Sequence, residues 1–424
     1  MLVELIHHQL NEGINLYLYE TEKFNTITAK VFIQNDLAEE SVAANALIPL
    51  ILRRGSQKYP TSFELASKME YLYGSALGAD VMKIGERQIL EFYFDMVAPH
   101  LLPDGESVLL DGFQTFGELI TNPILEGAGF KQEYFEQERA NLGKMVDGLI
   151  NDKRAYAFWR AISSMCKDEP YGLYRYGQRE QIDRLNNEEV YKQYCEILAC
   201  CPIDIFVVGP DLSLLPELIN SWKWNRRSLK TLAQITDKAV IKPQEIREKR
   251  DVQQTILVMG YRTNRRYLSE DYYALLVANG VLGVFPHSKL FINVRERASL
   301  AYYVGSTLEG TKGLMVITAG IAEESYDQAV DIINQQLMAV QNGDITNDEL
   351  NQTKIGLISG IRSMVDNPAS IIDRNVLGIV NNHLRSPEEV MKRIAAVTKE
   401  QAQKAAQKIQ LDTIYFLSGG KGEQ

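Results

Sequence analysis

The segment LFINVRERASLAYYVG, residues 290–305, combines charged and aromatic side chains that could bind a ligand. Arg295 and Tyr302 lie seven residues apart, and a second tyrosine, Tyr303, follows directly. A guanidinium offers planar, permanently charged hydrogen-bond donors, and a phenol hydroxyl can donate to a developing negative charge. Nothing in the segment can do chemistry alone, so its partner groups must lie elsewhere in the chain or in another chain.

Neither the four cysteines of the chain nor His287, just before this segment, predicts a metal site. The four cysteines, Cys166, Cys195, Cys200 and Cys201, are too few in 424 residues for a disulfide framework, so we expect reduced thiols. No histidine lies near the last three, which we interpret as buried structural thiols. His287 is typical of a capping or surface residue. The phosphate-binding and nucleophile-elbow patterns G-x-x-x-x-G-K-[ST], G-x-G-x-x-G and G-x-S-x-G are absent.

The charge balance and hydropathy exclude further classes of function. A net charge of −10 and a pI near 5.3 argue against a nucleic-acid surface, which needs clustered lysine and arginine. No apolar run approaches the roughly eighteen residues that a membrane span requires. The first residues, MLVELIHHQLNEG, lack the regions of a secretory signal. We therefore expect a cytoplasmic protein with no nucleic-acid partner and no membrane span.

The elements that must position these side chains are arranged in a repeat of about two hundred residues. Each half opens with a strand-like run, Thr26–Ile33 or Gln254–Tyr261, which is rich in β-branched residues. An apolar, helix-like stretch follows, and then a second strand, Ile89–Met96 or Gly313–Ile321. Long helices and a closing helix–strand pair complete each half. The pattern predicts an α+β protein with two similar tandem domains.

Capping signals and composition mark the helices and the domain boundaries. Thr346 with Glu349, and Thr398 with Gln401, have the spacing of capping boxes that open helices. The charged, aperiodic residues 223–248 are typical of an exposed linker. We thus predict an N-terminal domain at 1–222, a linker at 223–248 and a C-terminal domain at 249–424.

Several strings within this repeat resemble the M16 family of zinc metallopeptidases, which includes pitrilysin, insulysin and mitochondrial processing peptidase. The sharpest is SKLFINVRERASLAYYVGS, which is similar to the family's S-R-L-F-x-x-V-R-E-x-x-G-L-A-Y. TNPILEGAGFKQEYFEQER, EPYGLYRYGQREQIDRLNNEEVYKQYCEIL and NGDITNDELNQTKIGLI also resemble family segments, so the similarity covers nearly the whole chain. It implies two α/β-sandwich domains of the LuxS/MPP-like metallohydrolase fold.

The zinc motif of the family is degenerate in this sequence. In active members H-x-x-E-H lies on a helix, where two histidines bind zinc and the glutamate acts as general base. Aligned on Gly55, these three positions are Ala46, Pro49 and Leu50, which offer neither a lone pair nor a carboxylate. Pro49 also lacks a backbone N–H, so we expect the helix to kink or stop there.

The distal metal ligand is missing as well. The family pairs an E-R with a ligand glutamate seven residues after the first glutamate. Here Glu138 and Arg139 match the start, but the ligand position is Met145. Glu138 is retained, and we interpret it as a helix-face carboxylate with a structural contact. The resemblance therefore implies a member without its own catalytic residues or metal.

The resemblance also implies a use for Arg295 and Tyr302. In family members an arginine and a tyrosine at these positions reach toward the bound peptide and its scissile carbonyl, and in two-chain relatives they would face the partner's metal. We therefore predict a substrate-binding role for the pair. The chain would be a non-catalytic subunit that binds a zinc-bearing homologue and encloses peptides with it.

Three other interpretations remain open. Arg295 could form a surface ion pair with Glu296, and Tyr302 could be a half-buried strand residue. The chain could be a homodimer that binds or scaffolds peptides, for instance by adding them to a sheet edge, without any enzymatic partner. The least favoured alternative is a hydrolase with unconventional metal ligands.

Overall fold

The computed structural model describes residues 5–250, 252 and 254–419. The predicted strands of both halves are present, with ends that differ by a few residues at most. Within the described residues the strands are β1 (Ile6–Asn11), β2 (Ile14–Glu20), β3 (Thr26–Asp36), β4 (Ala76–Ile84), β5 (Arg87–Val97), β6 (Leu125–Glu126), β7 (Gly129–Phe130), β8 (Ile203–Gly209), β9 (Gln244–Arg250), β10 (Thr255–Arg262), β11 (Ala301–Glu309), β12 (Leu314–Ile321) and β13 (Gln410–Gly419).

Helices connect the strands in the predicted order. They are α1 (Val42–Leu52), α2 (Ser62–Tyr71), α3 (Gly105–Thr121), α4 (Gln132–Asp147), α5 (Lys153–Met165), α6 (Arg179–Asp183), α7 (Asn187–Cys200), α8 (Leu215–Asn220), α9 (Tyr272–Asn279), α10 (Tyr326–Gln341), α11 (Asn347–Met364), α12 (Pro368–Val380), α13 (Pro387–Ala396) and α14 (Lys399–Ala406). Both predicted capping boxes form, at Thr346 before α11 and at Thr398 before α14. Across the described residues, no helix is both long and apolar enough to cross a membrane.

Two sheets share one topology. The first has the strand order β1-β2-β8-β3-β5-β4, and the second has the order β11-β12-β10-β13-β9. Without β1, the two orders correspond strand for strand, and each sheet has one parallel pair, β2 with β8 and β9 with β13. The repeat predicted from the sequence is thus a repeat of one α+β fold.

The chain divides into two compact units that are not contiguous in sequence. One unit consists of the chain up to Asp147, Leu173–Gln234 and Asn367–Leu377. The other consists of Gly148–Gly172, Ile235–Asp366 and the chain from Gly378 onward. Each half therefore gives one helical segment to the other unit: α5 belongs to the second unit, and most of α12 belongs to the first. The predicted boundaries at 222 and 249 stay a prediction.

In the first unit, helices pack on one face of the sheet. Along β5 the residues Leu90, Phe92, Phe94 and Met96 alternate toward this face, as expected for a strand with one apolar side, and join the core with α1, α3 and α7. Lys30 on the other face donates to Asp373 of α12 at 2.7 Å. The position of α1 in this core determines the environment of the degenerate motif.

In the second unit, both faces of the sheet are covered. One core lies between the sheet and α9, α10 and α14. On the opposite face Ala157, Ile162 and Met165 of α5 pack against Val258 and Tyr415 of the sheet. The strand at the edge beside them, β9, includes residues 244–248 of the predicted linker. An edge strand exposes most of its side chains, and accordingly the sequence of β9, QEIREKR, is mostly charged. Because it lacks an apolar alternation, the sequence did not predict a strand here.

Candidate functional site

The degenerate motif lies on α1, in the interior of the first unit. All three motif positions, Ala46, Pro49 and Leu50, are buried. We expected the helix to kink or stop at Pro49, but it continues to Leu52. The backbone N–H of Arg53 still bonds to the carbonyl of Pro49 at 3.1 Å, so the last turn is closed. Pro49 removes one bond of the helix ladder, the one to the Asn45 carbonyl, and the bond from Arg53 together with the burial of every residue of α1 keeps the helix intact around it.

Polar anchors that the sequence did not reveal fix α1 in place. Asn45 is fully buried, and its amide donates to Gln88 of β5 at 3.0 Å. Its carbonyl oxygen accepts from Gln193 of α7 at 3.0 Å. These bonds satisfy a polar side chain inside an otherwise apolar helix. A lone asparagine in an apolar run would have been the only signal for them.

Glu138 lies on α4, which packs against α1. It is only 1% exposed, and its carboxylate is approached by the guanidinium groups of Arg53 at 3.7 Å and Arg54 at 3.5 Å. Asn141 donates to the same carboxylate at 3.4 Å. Met145, in contrast, is 41% exposed. The interpretation of Glu138 as a carboxylate with structural contacts agrees with this geometry, although sequence reasoning missed its arginine partners.

The residues at the motif positions do not fit a zinc ion. Zinc in proteins is bound by thiolate, imidazole or carboxylate groups, usually four in number with water included. The side chains of Ala46, Pro49 and Leu50 contain no donor atom, and the thioether of Met145 is a poor substitute for a carboxylate. Across the described residues, no group of three or more His, Cys, Asp or Glu side chains is arranged to hold a metal ion.

The Arg–Tyr segment lies at the end of the second sheet. Arg295 belongs to the π-helical turn Phe291–Arg297, and its side chain is 43% exposed. Its guanidinium lies over the ring of Phe291, 4.7 Å from the centroid, and 3.7 Å from Glu296. The latter contact is the ion pair considered above as an alternative, but it is longer than a hydrogen bond.

Tyr302 is located where β11 begins, and it is 81% exposed. The register between β11 and β12 shifts between Ala301 and Tyr303, so Tyr302 lies in a bulge. Ser299, just before the strand, adopts a positive φ of 54°. The alternative that Tyr302 is half buried is therefore wrong, because the bulge turns its side chain out of the ladder.

A shallow depression of about 580 Å³ adjoins Tyr302. Its lining includes Gln254, Leu300 and the end of β12, together with Glu323 and Glu324. Arg295 is not one of the described lining residues. The structure thus places the predicted pair at one end of the sheet, with the tyrosine on the depression and the arginine outside it.

The cysteines differ in exposure, and His287 makes one side-chain hydrogen bond. Cys166 and Cys201 are buried, and burial raises the pKa of the Cys201 thiol to about 11. Cys195 is exposed and Cys200 is partly exposed, which corrects the prediction that the last three cysteines are all buried, because the α7 positions of these two face solvent wholly or in part. His287 shares a hydrogen bond of 3.1 Å with Thr353.

Comparisons with known proteins give a consistent assignment. The family described as "Peptidase M16 inactive domain" matches residues 205–357. The chain is 35% identical to the probable inactive metalloprotease YmfF of Bacillus subtilis over 412 residues, which is 97% of either protein. The crystal structure of a conserved protein from Enterococcus faecalis V583 superposes with a TM-score of 0.91 at 28% identity, over 99% of this chain and 100% of that one.

A further crystal structure supports the fold. A peptidase M16 inactive domain from Pseudomonas fluorescens covers 100% of either chain with a TM-score of 0.80 at 17% identity. These matches agree with the repeated topology and with the resemblance of the local strings. The chain therefore belongs to the M16 peptidase family, and it lacks the side chains with which that family binds zinc.

Proposed function

We propose that this chain is a non-catalytic subunit that pairs with a zinc-bearing M16 homologue and supplies Arg295 and Tyr302 to the partner's peptide site. One contrast carries the proposal. The first half has lost every donor at Ala46, Pro49 and Leu50, whereas the second half keeps the Arg–Tyr segment with both side chains accessible.

The local contacts leave both groups available for a ligand. Tyr302 is largely exposed, so its hydroxyl can donate to an oxyanion without first breaking an internal contact. Arg295 is steadied by the ring of Phe291, while its distance to Glu296 is too long to engage its donors fully. An arginine in this state can bind a peptide carbonyl or carboxylate.

In this proposal the catalytic groups and the peptide-binding groups belong to two different chains. Zinc and the general base would belong to the partner, and this chain would contribute donors and half of a peptide-enclosing chamber. The name of the Bacillus subtilis relative, a probable inactive metalloprotease, supports the non-catalytic part. No zinc is expected in this chain.

The test is to mix the purified chain with a zinc-bearing homologue from the same cell. We expect a stable 1:1 complex with peptidase activity that neither chain has alone. Arg295→Ala should lower kcat/KM by about 10²-fold without weakening assembly, because a donor to the transition state is removed. Arg297→Ala, two residues along the same turn, is the matched control and should retain activity.

The outcomes separate the parts of the proposal. Absence of any complex with every zinc-bearing homologue of the cell would refute the pairing. A complex in which Arg295→Ala and Arg297→Ala behave alike would refute the role of the arginine. Tyr302→Phe and its control Tyr303→Phe test the phenol hydroxyl in the same way: equal activity of the two complexes would refute the role of Tyr302.

One observation favours a second function, the binding of peptides by a homodimer without enzymatic activity. β11 is an edge strand, and its sequence AYYVGSTLE carries no lysine or arginine that would block pairing with another strand. An extended peptide could add to this edge. Peptide binding by the isolated chain, measured by fluorescence anisotropy alongside sedimentation velocity, would support this function, and a monomer without peptide affinity would exclude it.

A further inference from the structure

Glu138 is a buried carboxylate, and the loss of the metal ligands does not explain how its charge is compensated. Its carboxylate is 1% exposed within the first unit, and an isolated buried carboxylate is strongly disfavoured. In a zinc-bearing member of the family, a divalent ion nearby would offset such a charge. This chain has no donors for that ion at the motif positions, so any positive charge that compensates Glu138 has to come from other side chains.

Two arginines provide that charge. Arg53 and Arg54 directly follow α1, and their guanidinium groups lie 3.7 Å and 3.5 Å from the two carboxylate oxygens of Glu138. Arg54 is held by a hydrogen bond of 2.6 Å to Gln137 and lies over the ring of Tyr134, 5.1 Å from its centroid. The cations also suit the negative end of the α1 dipole.

The contacts are those of compensating charges rather than of a saturated hydrogen-bond network. Glu138 Oε2 and Arg54 Nε are both buried, and neither has a hydrogen-bond partner among the described residues. The attraction between the groups is thus mainly coulombic, as it is between a carboxylate and a nearby ion. The arginines also lie within one helical turn of Leu50, the second histidine position of the motif.

We propose that Arg53 and Arg54 form a built-in cationic centre that compensates Glu138 in place of a metal ion, and that this centre excludes zinc in addition to the missing ligands. The cationic centre makes the fold independent of metal. It also repels any divalent cation that approaches α1. This inference concerns the isolated chain, so it stands or falls independently of the proposed pairing.

The first test restores the motif. Ala46→His, Pro49→Glu, Leu50→His and Met145→Glu are combined in one chain, either with Arg53 and Arg54 kept or with both changed to glutamine. Zinc is the probe. Titration calorimetry measures the affinity of each chain for zinc, and elemental analysis measures the stoichiometry of binding.

We expect the chain without arginines to bind one zinc ion at least about tenfold more tightly than the chain that keeps them, because two positive charges are removed from the site. Arg53→Lys with Arg54→Lys, in the restored motif, is the control and should bind as weakly as the arginine form. Equal affinity with and without the arginines would overturn the proposal. Failure of every folded form to bind zinc would overturn it too, since geometry alone would then exclude the ion.

The second test addresses compensation directly. Arg53→Gln with Arg54→Gln should lower the thermal midpoint by roughly 4–10 °C, because a buried charge loses its partners. Adding Glu138→Gln should recover a large part of this shift. If Glu138→Gln produces the same shift with and without the arginines, the groups are not coupled and the inference is wrong.

Discussion

At the scale of single residues, the structure is shaped by where charge is buried. Arg262 is 2% exposed and donates to Glu169 at 2.5 Å and to Asp412 at 2.7 Å. Lys312, also buried, lies 2.7 Å from Glu169. Burial alone would raise the pKa of Glu169, but hydrogen bonds from Arg262 and Lys312 outweigh it and lower the pKa. This cluster ties the loop after α5 to the second sheet.

Removal of Arg262 should therefore be costly. We expect Arg262→Met to lower the free energy of unfolding by about 3–5 kcal/mol, because it removes the ion pair of Asp412 and leaves Lys312 as the cation paired with Glu169. Denaturant unfolding monitored by circular dichroism is the measurement. Arg393→Met is the control: its pair with Glu389 is exposed, so its loss should cost less than about 1 kcal/mol. Similar losses in both variants would contradict the argument.

The sequence predicts some of these residues but not their partners. The degenerate positions Ala46 and Leu50 could be found by alignment on Gly55, because a missing donor is visible in the residue type. That Arg53 and Arg54 approach Glu138 could not be found, since the contact joins α1 and α4 across more than eighty residues. The same holds for Arg262 and Glu169.

At the scale of elements, α5 is held on the second sheet by both apolar and polar contacts. Glu248, on the edge strand β9, accepts hydrogen bonds from Tyr156 and Arg160 of α5 and from Tyr415 of β13. Burial would raise the pKa of Glu248, but these bonds and Arg250 lower it to about 2. The carboxylate thus joins a helix, an edge strand and a central strand.

The stability of this junction should depend on pH. A carboxylate whose pKa is lowered in the folded state contributes stability above its unfolded pKa, near 4.5, and loses it as the pH falls toward about 2. We expect the thermal midpoint to fall through this range, and Glu248→Gln to reduce the fall. At neutral pH Glu248→Gln should cost about 1–3 kcal/mol. An unchanged acid profile in the variant would show that the carboxylate does not support the junction.

Helix capping offers a smaller test. The side chain of Thr346 accepts from the N–H of Glu349 at 3.1 Å, and the carboxylate of Glu349 accepts from the N–H of Thr346 at 2.8 Å. Thr346→Ala should lower the free energy of unfolding by about 1 kcal/mol, whereas Thr346→Ser should have little effect. Urea unfolding distinguishes the two, and equal stability of alanine and serine would contradict the cap.

Elements with a strong local pattern could be predicted, and those set by their surroundings could not. β3, β10 and both capping boxes follow from β-branched runs and from residue spacing. β9 could not be predicted, because an exposed edge strand needs no apolar face. The continuation of α1 past Pro49 could not be predicted either, because burial on all sides stabilises the helix where its own backbone is weakest.

At the scale of the whole molecule, the two halves exchange helices. α5, from the first half, covers Ile256, Val258, Tyr415 and Leu417 on the second sheet. Most of α12, from the second half, belongs to the first unit, where Asp373 pairs with Lys30. Neither half of the sequence contains all the parts of one unit.

This exchange predicts that the halves fail to fold separately. A fragment of residues 235–424 should expose the face that α5 covers, bind a hydrophobic dye and aggregate. A synthetic peptide of residues 148–172 should bind the fragment and restore its solubility, because this peptide supplies α5 and Glu169. A peptide with Tyr156, Ile162 and Met165 changed to serine is the control. A fragment that is soluble and does not bind dye without the peptide would contradict the prediction.

Lys30 and Asp373 are separated by 343 residues in the sequence, so during synthesis their contact can form only after a delay. At roughly 5–20 residues per second, about 20–70 s pass between the synthesis of β3 and that of α12. Throughout this interval, the face of the first sheet that carries Lys30 lacks its link to α12. Folding of the first unit therefore cannot finish before residues 367–377 have been synthesised, however early its sheet forms.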